Sequence, residues 1–168
     1  MLNLELLSKR ELVRKLKLAM DIATAVDGMW FLAAEEQNGY QRALEMDINV
    51  WKRYPKVLKK RISKYYKFNE VGLDAIKGLI EHDPMMVPLE FEFITENINS
   101  MIFQVSKCPA LEAMERMGRK KLTCEPVETA YLNGIAGICD GRIEVEALKL
   151  PPRLSDDEIC CQWRFLHR

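Results

Sequence analysis

The chain of 168 residues has the length of one domain, and its 48% hydrophobic and 30% charged residues are typical of a folded globular protein. Its 25 basic and 25 acidic residues balance, so the chain lacks the overall basic excess that is typical of nucleic-acid binding. No stretch has the apolar length of a transmembrane helix, and the N-terminus lacks the order of a secretory signal. We therefore expect a cytoplasmic protein without a nucleic-acid or membrane partner.

The first 83 residues have the pattern of helices. Ser8 and Glu11 have the spacing of a capping box, and Gly39 has the position of a C-cap. Between them runs an apolar stripe at helical spacing: Leu12, Leu16, Ala19, Ala23, Val26 and Trp30. We expect one long helix, or two with a break near Asp27-Gly28, because glycine weakens a helix interior by about 1 kcal/mol.

Two more helices are expected before residue 83. The second begins after Gly39, and Pro55 should kink or restart it. Residues 56–67 combine basic and tyrosine side chains, a mixture that can bind nucleic acid, although a solvated helix face is its more common meaning. A third helix is expected over about 71–81.

Strand alternation replaces the helical period after residue 88. It predicts a β-hairpin over 88–104 and further strands over 143–147 and 159–166. Pro109 and Pro126 each open a helix between the hairpin and the later strands, the first ending at Gly118 and the second near 134–137.

This order of elements predicts an α+β fold. We expect the N-terminal long helices to pack on a four-stranded antiparallel sheet, with the two short helices intervening. The chain should form a single domain, with a helical part over 1–83 and a sheet-containing part over 84–168.

Several motifs resemble a group of bacterial and archaeal cytosolic proteins that are distantly similar to L-2-amino-thiazoline-4-carboxylic acid hydrolases. The motifs are Asp27-Gly28-Met29-Trp30-Phe31, the pair Cys108 and Cys124, Asp140-Gly141-Arg142-Ile143 and Cys161-Gln162-Trp163-Arg164-Phe165. The C-terminal layout also resembles the 4-vinyl reductase domain and its relatives in Golgi transport complexes. The resemblance implies binding of a small molecule, or hydrolysis of a small substrate at a C–N bond.

The first candidate site is acidic and aromatic. Asp27, Phe31 and Glu35 fall on one helix stripe, and Asp47 and Trp51 lie four residues apart on the next helix. Buried carboxylates have raised pKa values, so Asp27 and Glu35 are candidate general acid and base groups. The candidate ligand-binding residues are Trp30, Phe31, Asp47, Trp51, Phe91, Phe103 and Trp163. The alternative is that the acids cap helices, pair with arginines or face water, and that the aromatic residues form ordinary core.

The second candidate site consists of thiols. The five cysteines are an odd number, which argues against a disulfide framework in a cytoplasmic chain. Cys108 precedes a helix whose dipole would favour a thiolate, so Cys108 is a candidate nucleophile. We expect Cys108, Cys124 and Cys160 or Cys161 to approach one another. We expect no cofactor; zinc is the alternative, held by Cys108, Cys124 and Cys161. Buried structural cysteines are the other alternative.

These candidates leave three functions open. The first is binding of a small-molecule ligand, with or without catalysis. The second is a cysteine- or carboxylate-dependent hydrolase. The third is an interaction module that forms a homodimer through its N-terminal helices, since zero net charge lowers the barrier to self-association.

Overall fold

A computed structural model describes residues 4–68, 70–155 and 157–168 of the chain. The helices are α1 (Lys9–Asn38), α2 (Tyr40–Ile62), α3 (Gly72–Glu81), α4 (Pro109–Arg116) and α5 (Cys124–Cys139). The strands are β1 (Glu90–Asn97), β2 (Ser100–Lys107), β3 (Ile143–Lys149) and β4 (Cys161–His167). Short 3-10 turns occupy Leu4–Leu6 and Pro84–Met86. The predicted α+β fold with one antiparallel sheet is confirmed.

Helix α1 is a single unbroken helix of 30 residues. The side chain of Ser8 accepts the backbone N–H of Glu11, and the Glu11 carboxylate accepts the Ser8 N–H, which is the predicted capping box. At the other end Gly39 has a φ of 79°, a conformation that glycine adopts at low cost, and its N–H bonds the carbonyl of Glu35. Of the two expectations, one long helix is confirmed and the break near Gly28 is absent, because a single glycine costs less than ending the helix there.

Helix α2 continues through Pro55, so the helix does not restart there, and the kink stays a prediction. Pro55 is buried in the middle of the helix, where its ring packs against Gly134 of α5. A Cβ at position 134 would lie only 2.8 Å from Cγ of Pro55, so the two helices approach closely at this point. Helix α5 begins two residues before Pro126 and extends past the glycines that were expected to end it. Packing between helices therefore overrides the local breaking signals.

The sheet has the strand order β1-β2-β4-β3, with every neighbouring pair antiparallel. Strand β4 is central, and its register places Trp163 opposite Phe103 of β2 and Ala147 of β3. Trp163 and Phe165 are buried, whereas Arg164 faces outward and pairs with Glu146 of the neighbouring β3 and with Glu96 of β1, two strands away. The predicted alternation of β4 is confirmed.

The hydrophobic core lies between the sheet and helices α3 and α5. Its members include Ile76 and Leu79 of α3, Leu132 and Ile135 of α5, and Phe103 of the sheet. Helix α2 packs on α5, and α1 packs on α2. Helix α1 therefore does not bury its apolar stripe against the sheet, because α5 occupies the sheet face, and α1 has no buried residue.

Candidate functional site

A cleft of about 460 Å³ lies beside the second half of α1, and we refer to it as the α1/α4 cleft. Its far wall is α4 with the loop that follows. Most of its lining is apolar, and the polar exceptions carry charge of both signs. The lining residues are Asp21, Thr24, Ala25, Asp27, Gly28, Met29, Phe31, Leu32, Asp47, Pro88, Pro109, Ala110, Ala113, Met114, Arg116, Met117, Arg119 and Thr123.

Asp27 and Asp47 form a carboxylate pair across the α1–α2 contact. Both side chains are half-buried, and burial raises the pKa of Asp27. Burial, followed by repulsion from Asp27, raises the pKa of Asp47 to about 6, although a hydrogen bond from the Trp51 side chain partly opposes this shift. Neither aspartate forms an ion pair within the described residues. The pair is therefore an uncompensated acidic group that opens into an apolar cleft.

Glu35 has a different environment from these two acids. It forms a two-bond ion pair with Arg119, at 2.8 and 2.9 Å, and these bonds hold the pKa of its carboxyl below the usual value. The same guanidinium lies 5.5 Å from the ring centre of Phe31. Glu35 therefore fixes the Arg119 side chain at the edge of the cleft. A proton-transfer role for Glu35 stays a prediction that this pairing does not favour.

A second concave surface, the α1/α2 groove, lies on another side of α1 and has a volume of about 410 Å³. Trp30 and Trp51 line it together with Val26 and Val50, and Asp27 lies between the groove and the α1/α4 cleft. Trp51 also contacts Tyr54 and Tyr131 edge-on, whereas the side chain of Trp30 remains 73% exposed. Phe31 and Trp30 thus face separate cavities, although they are neighbours in sequence.

The predicted sheet aromatics lie in or against the core. Phe103 and Trp163 are buried, and the ring of Phe91 packs against Phe103 with centroids 5.5 Å apart. The structure does not bring these rings to Trp30 or Glu35, because α5 and α2 separate α1 from the sheet. The indole N–H of Trp163 has no hydrogen-bond partner among the described residues, although it lies close enough to Cys161 to lower the pKa of that thiol.

The thiols of Cys108, Cys124 and Cys161 lie close enough for their charges to interact. Backbone N–H groups at the start of α4 lower the pKa of Cys108, as its position before a helix predicts, but burial dominates and raises it to about 11. Burial likewise raises the pKa of Cys124 to about 12 and that of Cys161 further. All three thiols are therefore protonated at neutral pH, and this opposes the predicted thiolate at Cys108.

Two acids inside the fold were not predicted from the sequence. Glu128 of α5 interacts with the three thiols, and burial raises its pKa to about 7. Asp83 is buried and accepts hydrogen bonds from the hydroxyls of Tyr54 at 2.6 Å and Tyr131 at 2.8 Å, and from the N–H of Met85. The Tyr54 and Tyr131 contacts of Asp83, and the Cys108 and Cys161 contacts of Glu128, join separate elements, so no local spacing marks them; only Cys124 lies on the same helix as Glu128, four residues before it.

The donor side chains of the described residues are not arranged as a metal site. Within residues 4–68, 70–155 and 157–168, no group of three or more His, Cys, Asp or Glu side chains has the arrangement of a metal site. The thiols thus interact electrostatically without forming a recognisable ligand set. The helices in these same ranges include none with both the length and the apolar character to cross a membrane.

Comparison with known proteins places the chain in a family but gives no activity. Neither the curated proteins nor the solved structures contain a match. The similarity to amino-thiazoline carboxylic acid hydrolases and to the 4-vinyl reductase domain stays a prediction. Residues 5–167 match the model of a family of unknown function, DUF6125, and the chain belongs to that family.

Proposed function

We propose that the α1/α4 cleft binds a small, mainly apolar molecule that carries a cationic nitrogen, and that Asp27 and Asp47 hold this nitrogen. One observation carries the proposal: two neighbouring half-buried carboxylates without an ion-pair partner in the described structure open into an apolar cleft. A charge removed from water is costly unless it is compensated, and a cationic ligand would supply the compensation.

The dimensions and walls of the cleft support this proposal. Its volume of about 460 Å³ falls in the range of small-molecule sites. Met29, Met114 and Met117 supply flexible apolar surface, and Phe31 supplies an aromatic ring. Such walls favour a compact hydrocarbon or aromatic ligand body, while the acidic pair selects its charged group.

The proposal is tested with a matched set of probes: phenethylamine, its neutral alcohol analogue and its carboxylate analogue. Calorimetry at pH 7 should show binding of the amine in preference to the other two. Binding should weaken from pH 7 to pH 5, because Asp47 gains a proton near pH 6 and loses its attraction for a cation.

Substitution of the acids identifies the site. Asp47→Asn and Asp27→Asn should each reduce amine affinity by about tenfold or more, since each removes about 1.4 kcal/mol or more of charge-assisted binding. Glu36→Gln, on the exposed surface of α1, is the matched control and should bind as the wild type does. Equal affinity for the amine and the alcohol, or amine binding that survives both substitutions, would contradict the proposal.

The same acidic pair supports a second candidate, a carboxylate-dependent hydrolase of a small C–N bond. The specific observation is the pKa of about 6 at Asp47 beside Asp27, which allows one carboxyl to be protonated while the other is ionised. The ionised group would accept a proton from the attacking water, and the protonated group would donate one to the departing nitrogen. The protein should release ammonia or an amine from cyclic or linear substrates that contain a C–N bond. Asp47→Asn should abolish this release.

A cytoplasmic location belongs to this proposal. All five cysteines are free thiols, as expected in a reducing compartment. The balanced charge of the chain favours a small-molecule partner over nucleic acid.

A further inference from the structure

Helix α1 carries an exposed apolar seam along its length. The seam consists of Leu12, Leu16, Ala19, Ala23, Val26 and Trp30. The gaps between successive members are 4, 3, 4, 3 and 4 residues, which is the heptad spacing of a coiled-coil interface. Leu12, Leu16 and Val26 are each at least 40% exposed, and no residue of α1 is buried. The fold therefore leaves a coiled-coil seam uncovered.

The charges of α1 divide at the middle of this seam. Residues 9–18 contain five basic residues and one acidic residue. Residues 19–38 contain four acidic residues and no basic one. The first half thus carries a net +4 and the second half a net −4. A second α1 helix running in the opposite direction would place each basic half beside an acidic half, whereas a parallel helix would place like charges together.

We propose that α1 pairs with α1 of a second copy of this chain in an antiparallel, two-fold symmetric dimer. The order of gaps in the seam is the same in both directions, with its centre at position 21. A two-fold axis there places Leu12 opposite the partner's Trp30, Leu16 opposite the partner's Val26, and Ala19 opposite the partner's Ala23. Self-complementarity of this kind is the requirement for a symmetric dimer interface.

The α1/α2 groove gives the partner helix a place to pack. Val26 and Trp30 belong both to the seam and to the groove wall, and Val50 of α2 extends the apolar surface with 59% of its side chain exposed. In the antiparallel register, the segment around the partner's Leu12 and the partner's Leu16 reaches this groove. In its own chain, that segment is the part of α1 most exposed to solvent. The small residues Ala19 and Ala23 lie at the centre, where they allow the two backbones to approach closely.

Sedimentation equilibrium of the full chain tests the interface. The wild type should be a dimer at micromolar concentration. Leu16→Arg lies in the seam and should weaken the dimer by about tenfold or more, because a charged side chain would have to leave water and replace an apolar one in the packed seam. Leu18→Arg is the matched control: Leu18 is 57% exposed but lies outside the seam, so this variant should stay a dimer.

A monomeric wild type, or equal effects of the two substitutions, would overturn the proposal. Binding of a monomer to anionic vesicles would instead assign the seam to a lipid surface.

Cysteine crosslinking tests the direction of the helices. Leu12→Cys and Trp30→Cys are prepared separately, mixed and oxidised, and the linked peptides are identified by mass spectrometry. The antiparallel register predicts a bond between positions 12 and 30 that forms only in the mixture. Within either single variant the two new thiols would be about 27 Å apart, at 1.5 Å per residue. Self-linking at position 12 or at position 30, or a dimer that never links 12 to 30, would overturn the antiparallel arrangement.

Discussion

At the scale of single residues, the carboxylate of Asp47 combines burial with repulsion from Asp27. Both causes favour the protonated acid, and together they outweigh the hydrogen bond from Trp51. The ionised form that a cationic ligand requires is therefore present at pH 7 at a cost in stability. Such a cost is common at binding sites, where residues are held in environments that the folded chain alone does not favour.

This cost predicts how the stability of the free protein depends on pH. The pKa of Asp47 is about 6 in the folded chain, against an ordinary value of 3.8, so the native state binds more protons than the unfolded chain between about pH 4 and pH 6. The free energy of unfolding should therefore fall as pH rises through this window. Asp47→Asn should show a shallower fall and greater stability than the wild type at pH 7.

Urea unfolding at several pH values measures this effect. Glu45→Gln, on the exposed side of the same helix, is the control and should keep the wild-type slope between pH 4 and pH 6. A slope in Asp47→Asn that equals the wild-type slope would show that this carboxyl does not carry the pH dependence.

The sequence could identify only those site residues that are related by local spacing. Asp27 and Phe31 are four residues apart on α1, and both line the α1/α4 cleft together with Asp47. Asp83 could not be found in this way, because Tyr54 and Tyr131, whose hydroxyls bond it, lie on α2 and α5. Glu128 lies four residues from Cys124 on α5, but its interactions with Cys108 and Cys161 arise only when other elements pack against α5. Long-range pairing of this kind is a property of the tertiary structure.

At the scale of elements, the sequence predicted the strands and helices better than their interruptions. The hairpin and the two later strands follow from alternation, which a half-buried sheet imposes. Pro55 was expected to kink or restart α2, and the glycines of α5 to end that helix, yet α2 continues through Pro55 and α5 through Gly134 and Gly137. A break at Gly28, the alternative to one long helix, is likewise absent. For Pro55 and Gly134 the reason is visible: the proline ring fills the space that a side chain at 134 would need.

The contact between Pro55 and Gly134 predicts opposite effects for two similar substitutions. Gly134→Ala should destabilise the protein by about 1–3 kcal/mol, because the new Cβ would lie 2.8 Å from the Pro55 ring. Gly137→Ala should stabilise it by about 0.5–1 kcal/mol, since position 137 has nothing within 4 Å of a Cβ and alanine favours a helix. Thermal unfolding of both variants measures the difference, and a stabilised Gly134→Ala would show that α2 and α5 can separate there at little cost.

At the scale of the whole molecule, stability is distributed unevenly. The core joins the sheet with α3 and α5, and α2 covers α5 from outside. Helix α1 is about 45 Å long at 1.5 Å per residue but contributes no buried side chain. The periodicity of the sequence correctly predicted its helix and its apolar stripe. It could not show which surface the stripe faces, because a stripe has the same period whether it covers the same chain or a second one.

This distribution predicts a concentration-dependent pattern of amide hydrogen exchange. Residues 9–18 form the basic half of α1, and a helical segment of this length is marginal in water without tertiary cover. In a dilute sample at about 0.1 µM, below the dissociation constant expected for a modest interface, their amides should exchange quickly. At about 100 µM the partner helix should cover the seam, and the protection of these amides should rise by an order of magnitude or more.

The amides of α5 are the internal control, because its buried residues Leu132 and Ile135 belong to the core of a single chain. Protection of residues 9–18 that is the same at both concentrations, and the same in Leu16→Arg as in the wild type, would show that no second copy covers the seam.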